Sequence, residues 1–252
     1  MGKKPRIICS ILCLFLLLAI TACGSSPKGT GKTVLGVLLF EKEDIADVQI
    51  EVERSSRPVY VVANEAERED ILAILFDADL TAFKDSDPTG ALGAGWQLAV
   101  CSGEDHRTLG IIVTDSEQYL VITDGDGSRI CKQGPSGSID FAALDRVINC
   151  VLRNETDPEW SGMVTDLATG ERHAVNKGNC AYAVSRLNDA VTKGDSANTD
   201  ADAEYDIEFK VCDAVYEISR ETGQFCRSTG ENKTYARIGG EDLLEVKTTL
   251  GI

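Results

Sequence analysis

Arg57-Pro-Val-Tyr-Val-Val-Ala-Asn64 and Glu171-Arg-His-Ala-Val-Asn176 are the two stretches on which the fold turns. Each is a short run that ends in an asparagine just ahead of a segment with helical period. Asn64 and Glu67 form a capping-box pattern before Ile71, Leu72, Leu75 and Phe76, which are spaced for one helix face. Asn176 precedes a second such segment near Gly178–Thr192, carrying Val184, Leu187 and Val191. Upstream, Ile45–Glu53 joined to Pro58–Ala63 at Arg54-Ser55-Ser56-Arg57 reads as a hairpin. Met163–Leu167 and Arg172–Val175 do the same around Ala168-Thr169-Gly170-Glu171.

Downstream the parallel continues. After a break at Asp85-Ser86-Asp87-Pro88-Thr89-Gly90, strands are expected at Gly95–Cys101, Thr108–Thr114, Gln118–Thr123 and Ser128–Lys132. The last two are joined by Asp124-Gly125-Asp126-Gly127, a hairpin composition. A helix from Asp140 places Phe141, Leu144, Ile148 and Val151 on one side. The second half, after a polar loop at Lys193–Glu204, offers Tyr205–Cys212, Ala214–Arg220, Gln224–Arg227, Lys233–Ile238 and a helix at Glu241–Leu250. Leu98-Ala-Val-Cys101 sits where Phe209-Lys-Val-Cys212 sits. The expectation is therefore an α+β fold made by internal duplication of a hairpin–helix–antiparallel meander–helix unit. The first repeat spans residues 34–152, a linker 153–160, and the second repeat 161–252.

The N-terminus sets location. Lys3, Lys4 and Arg6 precede an apolar run from Ile7 to Ile20, which is followed by the small residues Thr21 and Ala22. These are the parts of a secretory signal. The run falls short of the ~20 apolar residues that span a bilayer comfortably. Ile20-Thr21-Ala22-Cys23 resembles the lipobox of bacterial lipoproteins. That resemblance implies a signal peptide over 1–22, cleavage before Cys23, and a diacylglyceryl thioether on Cys23, palmitate included, with Cys23 as the first residue of the mature chain. Gly24 departs from the aspartate that marks inner-membrane retention in diderm bacteria. Residues 23–33 contain no large apolar group and read as a flexible tether. The implied place is the outer face of the cytoplasmic membrane, which in a monoderm is the cell surface. The pattern over roughly residues 41–152 also resembles small lipoprotein domains of unknown function from Firmicutes-type bacteria. It carries no diagnostic motif, so the likeness implies no catalytic residue and no ligand.

Charge narrows the partners. The signal holds three of the chain's 25 basic residues and none of its 41 acids, which leaves 22 against 41, a net charge of −19 after cleavage. Nucleic acid and anionic headgroups both demand a basic footprint, so neither is an expected partner. The expected membrane contact is the lipid anchor alone.

Six cysteines follow Cys23: Cys101, Cys131, Cys150, Cys180, Cys212 and Cys226. Outside the cytoplasm they permit three disulfides in fifteen connectivities. Strand parity puts Cys101 beside Gln97 and Ala99, and Cys212 beside Glu208 and Lys210, each on the less apolar face. These equivalent cysteines are the candidate disulfide across the duplication. The alternative is that most of the six are small buried apolar groups. No C-x-x-C or C-x-x-H spacing points to zinc. His106, in a polar turn, and His173, in a short strand, accompany no G-x-S-x-G elbow, so a structural role outweighs a catalytic one. Asp124 and Asp126 lack the further acids of an EF-type loop and read as turn chemistry. No metal, cofactor or catalytic residue is expected.

The functional expectation is a non-enzymatic, membrane-anchored binding module contacting an envelope protein or polymer through the sheet face that helices leave bare. Alternatives from other classes are a cell-envelope hydrolase using carboxylates and an inhibitor or regulator of a secreted enzyme.

Overall fold

A computed structural model of the chain describes residues 33–38, 40, 42–53, 58–87, 93–157, 160–192 and 203–252. The signal sequence, Cys23, nearly all of the tether, the turn at 54–57 and most of the acidic loop after Thr192 lie outside the described residues.

Period-two patterning builds two antiparallel sheets. The first half supplies β1 (Asp47–Glu53), β2 (Val59–Val62), β3 (Lys84–Asp85), β4 (Ala94–Ser102), β5 (Asp105–Val113), β6 (Glu117–Asp124) and β7 (Arg129–Pro135). Their order across the sheet is β2-β1-β4-β5-β6-β7-β3. The second half supplies β8 (Gly162–Asp166), β9 (Arg172–Val175), β10 (Ile207–Val211), β11 (Ala214–Ile218), β12 (Gln224–Thr229) and β13 (Asn232–Arg237), in the order β9-β8-β10-β11-β12-β13. Without β3, the two orders are the same: the first strand of the hairpin lies beside the first strand of a four-strand meander. The meander has four strands in both halves, and the fold is α+β.

Helices cover one face of each sheet. In the first, Ile50, Leu98, Leu109 and Ile122 form one cross-strand row, and every one of them is buried. Ile71, Leu72 and Leu75 of α2 (Glu65–Asp77) and Leu144, Ile148 and Val151 of α3 (Phe141–Leu152) close over that face. Buried Gln118 fixes the entry to α3: its amide donates to the Ile139 carbonyl at 2.7 Å, and its oxygen accepts from Ile139 N–H at 2.8 Å. In the second sheet, Phe209, Tyr216 and Phe225 face Cys180, Ala183 and Leu187 of α4 (Lys177–Thr192) and Val246 and Leu250 of α5 (Gly240–Leu250). Gly162 permits this close approach, because a Cβ there would stand 2.6 Å from the Cys180 sulfur and 2.7 Å from the Phe209 ring.

The halves meet through α4. Its Ala181 is buried in the first core, with Tyr182 packed beside it, while the opposite side of the helix serves the second. Three elements depart from the sequence expectation. A short helix α1 (Val34–Leu38) begins where the tether was expected to end, and it buries Val34, Val37 and Leu38. A 3-10 turn follows at Lys42–Asp44. The two-residue β3 is too short to show any period. No described helix is long and apolar enough to cross a membrane.

Candidate functional site

The helix-free face of the first sheet is the first candidate. Antiparallel register aligns Gln49, Ala99, Thr108, Thr123 and Arg129 in one row on this face, and Gln97, Gly110, Val121 and Cys131 in the next. The face carries two adjoining concavities, of 260 Å³ and 420 Å³, which share Thr108. Gln97, Ile112, Val121 and Arg129 line the smaller; Gln49, Tyr60, Cys101 and His106 line the larger. Every lining residue of both belongs to the first half. Amides, hydroxyls and short aliphatic groups alternate here, a surface suited to hydrogen bonding around small apolar contacts. Burial raises the Tyr60 hydroxyl above the ordinary phenol value, with the Glu51 carboxylate adding to the shift and a bond to Gln97 opposing it. Tyr60 therefore acts as a neutral donor and acceptor.

One row on this face places three chemically active side chains side by side. Asp47 pairs with Cys101 and Cys101 with His106 across β1, β4 and β5. Burial raises the Cys101 thiol, and the Asp47 carboxylate raises it further. Such a thiol is held protonated and is a weak nucleophile. No group of three or more His, Cys, Asp or Glu among the described residues has the geometry to hold a metal ion.

The second candidate is a 680 Å³ cleft where the halves join, lined by Asp47, Asn64, Glu65, Arg68, Glu69, Asp157 and Lys177. Lys177 opens α4 and is only 1% exposed. Its ammonium donates to Asp157 Oδ2 at 2.7 Å and to Glu67 Oε2 at 2.9 Å. Glu67 is also the third helical residue of α2, where its carboxylate accepts from Asn64 N–H at 2.9 Å and completes the capping box. A cation in the first turn of a helix opposes the helix dipole. Two carboxylates offset that cost, and they come from α2 and from the linker. The site is thus a buried ionic joint between the halves, and Glu67 and Asp157 are engaged as its acceptors.

The other sequence candidates scatter. Cys23, the expected lipid attachment point, lies outside the described residues. Cys101 is on β4 of the first sheet, while Cys212 occupies the β10–β11 turn of the second with φ 53°, the one non-glycine residue at positive φ among the described residues. No disulfide joins these two or any other described cysteines. Burial pushes the Cys180 thiol up to about 12, with nearby Cys212 contributing. His173 Nε2 lies 2.6 Å from the Leu250 carbonyl, so it donates and closes the end of α5. Asp126 accepts from Ser128 N–H, and Asp124 pairs with Arg107 at 2.7 Å, so both carboxylates serve the hairpin.

Lys177, Asp157, Gln49 and Tyr60 escaped the sequence reading. Only Lys177 left a signal there, as a cation directly after the capping position Asn176. No family model, no curated protein and no solved structure matches the chain.

Proposed function

We propose that this chain is a lipid-anchored extracytoplasmic binding module that presents the helix-free face of its first sheet to an envelope protein or polymer. The observation that carries the reading is the pair of adjoining concavities, to which the second half contributes no lining residue. Among the described residues neither a helix nor the second half lines these concavities, which supports this face as the contact surface. Lipid on Cys23 supplies membrane affinity, at about 0.8 kcal/mol per buried methylene, and the residues up to Thr33 supply reach. The module is non-enzymatic in this reading. Asp157 of the junction cleft and the neighbouring Glu67 already accept from Lys177. The rival reading, a carboxylate hydrolase, draws on the other acids of that cleft, Asp47, Glu65 and Glu69. An inhibitor of a secreted enzyme would use the same sheet face, with Tyr60 as an aromatic contact.

The common strand order of the two sheets supports a further reading, that the halves arose by duplication. Related sequences aligned half against half would test it: halves with no shared profile would remove the idea.

Two measurements test the function. Metabolic palmitate labelling is expected on the natural chain and lost in Cys23→Ser; equal labelling of both would overturn the anchor. Thr108→Glu places a charge where the concavities meet and is expected to abolish capture of an envelope component that the unaltered protein retains. Retained capture by the variant would move the contact surface elsewhere. Hydrolysis of envelope polymer by the purified protein would establish the rival reading.

A further inference from the structure

The two meanders end on β7 and β13, which occupy the same place in their sheets. The outer edge of β7 is taken by β3, with Lys84 opposite Gln133 and Asp85 opposite Lys132. The Lys132 ammonium reaches Asp85 Oδ1 at 3.0 Å, and Ser86 N–H donates to the Cys131 carbonyl at 3.1 Å. A lysine-bearing final strand thus receives an extended segment through main-chain bonds and one carboxylate.

No strand lies outside β13 among the described residues. The strand pairs with β12 along all six of its residues and contains no proline. Ile238 N–H donates to the Gly223 carbonyl at 2.9 Å. The alternation of an antiparallel ladder then directs the main-chain groups of Thr234 and Ala236 toward β12, and those of Lys233, Tyr235 and Arg237 outward. The side chains of these same three residues share one face, with exposed Lys233 and Arg237 flanking half-buried Tyr235. The Cα atoms of the two basic residues are roughly 13–14 Å apart along the strand. Arg237 Nε donates to the Thr222 carbonyl at 3.0 Å, which fixes the stem of that side chain. On a chain of net charge −16, this open edge is locally basic.

We propose that the outer edge of β13 is a docking site for an extended acidic segment of another protein, added as a seventh strand to the second sheet. Main-chain bonds to Lys233, Tyr235 and Arg237 supply affinity, and alternate side chains supply selectivity. Carboxylates four residues apart on the incoming strand meet Lys233 and Arg237, with an apolar side chain between them against Tyr235. The site is separate from the sheet face above and stands or falls independently of it.

The test uses the chain from residue 24 onward and a fluorescent peptide with the pattern acid–Thr–Val–Thr–acid. The control peptide has lysine in place of both acids. The acidic peptide is expected to bind at least about tenfold more tightly than the control. Lys233→Glu with Arg237→Glu is expected to reverse that preference. Tyr235→Pro removes an outward N–H that β12 does not use, and is expected to abolish binding with an unchanged circular dichroism spectrum. Amide exchange at Lys233, Tyr235 and Arg237 is expected to slow only when the peptide is bound. Equal binding of both peptides by the unaltered protein would overturn the proposal, as would undiminished binding by Tyr235→Pro. Protection of those three amides without peptide would also overturn it, because the edge would then belong to this chain or to a second copy.

Discussion

The two sheets share a strand order but finish differently. At the end of the first, Phe83 lays its ring over Gly134, where a Cβ would collide with it, and the chain just beyond pairs with β7. Asn232–Arg237 contains no glycine, so β13 offers no such seat. A single missing side chain on β7 thus distinguishes an edge closed by its own chain from one with no described neighbour. Exposed edges invite pairing, and the proposed docking on β13 rests on this difference. The bare faces differ as well: concavities line the first sheet, whereas exposed Met163 and Lys210 stand on the second.

The largest expected effect falls on the joint that ties the halves together. Lys177→Ala leaves Asp157 buried beside Glu67 without its cation and is expected to cost about 3–5 kcal/mol. Urea unfolding should show it, with the single transition broadening or dividing; an unmoved midpoint would mean that the halves do not rely on this joint.

Gly162→Ala and Gly134→Ala compare one core with one edge. The first forces a methyl into Cys180 and Phe209 and is expected to cost about 1–3 kcal/mol, part of which Cys180→Ala restores. The second is expected to release Phe83 and β3, seen as faster amide exchange at Gln133 while the second sheet is unchanged. Cys180 also gives a pH signature. Its thiol is raised to about 12 in the fold against 9.0 ordinarily, so the folded state keeps a proton that the unfolded chain loses. Stability is therefore expected to fall as pH rises above 9, and Cys180→Ala should flatten that decline in alkaline urea titrations.

The smallest effects belong to the caps. Asn64→Ala and Asn176→Ala each remove a side-chain acceptor from the start of a helix, for Glu67 N–H and Asn179 N–H respectively. Each is expected to cost about 1 kcal/mol in chemical denaturation. A far larger loss at one cap would show that the halves weigh this shared feature differently.

Much of the architecture was legible because it rests on local rules. Alternation along Trp96–Cys101 separated buried Leu98 and Val100 from the opposite face, and Asn64 with Glu67 marked the start of α2 within one residue. The site was far less legible. Gln49, Tyr60 and Thr108 carry no motif, and they become neighbours only when β1, β2, β4 and β5 fall into register. Cys101 and His106 share no spacing signature, and they become neighbours only through the cross-strand pairing of β4 with β5.

By itself the sequence determined the α+β class, the boundaries of most strands and helices, the net charge and the resemblance of Ile20–Cys23 to a lipobox. Those depend on period, capping and composition, which act over a few residues. The tertiary structure alone decided that Lys177 joins the halves, that the six described cysteines form no disulfide, that Gly134 seats Phe83, and that β7 is covered while β13 has no described strand outside it. These are contacts between residues up to 110 positions apart, set by how two cores pack around α4.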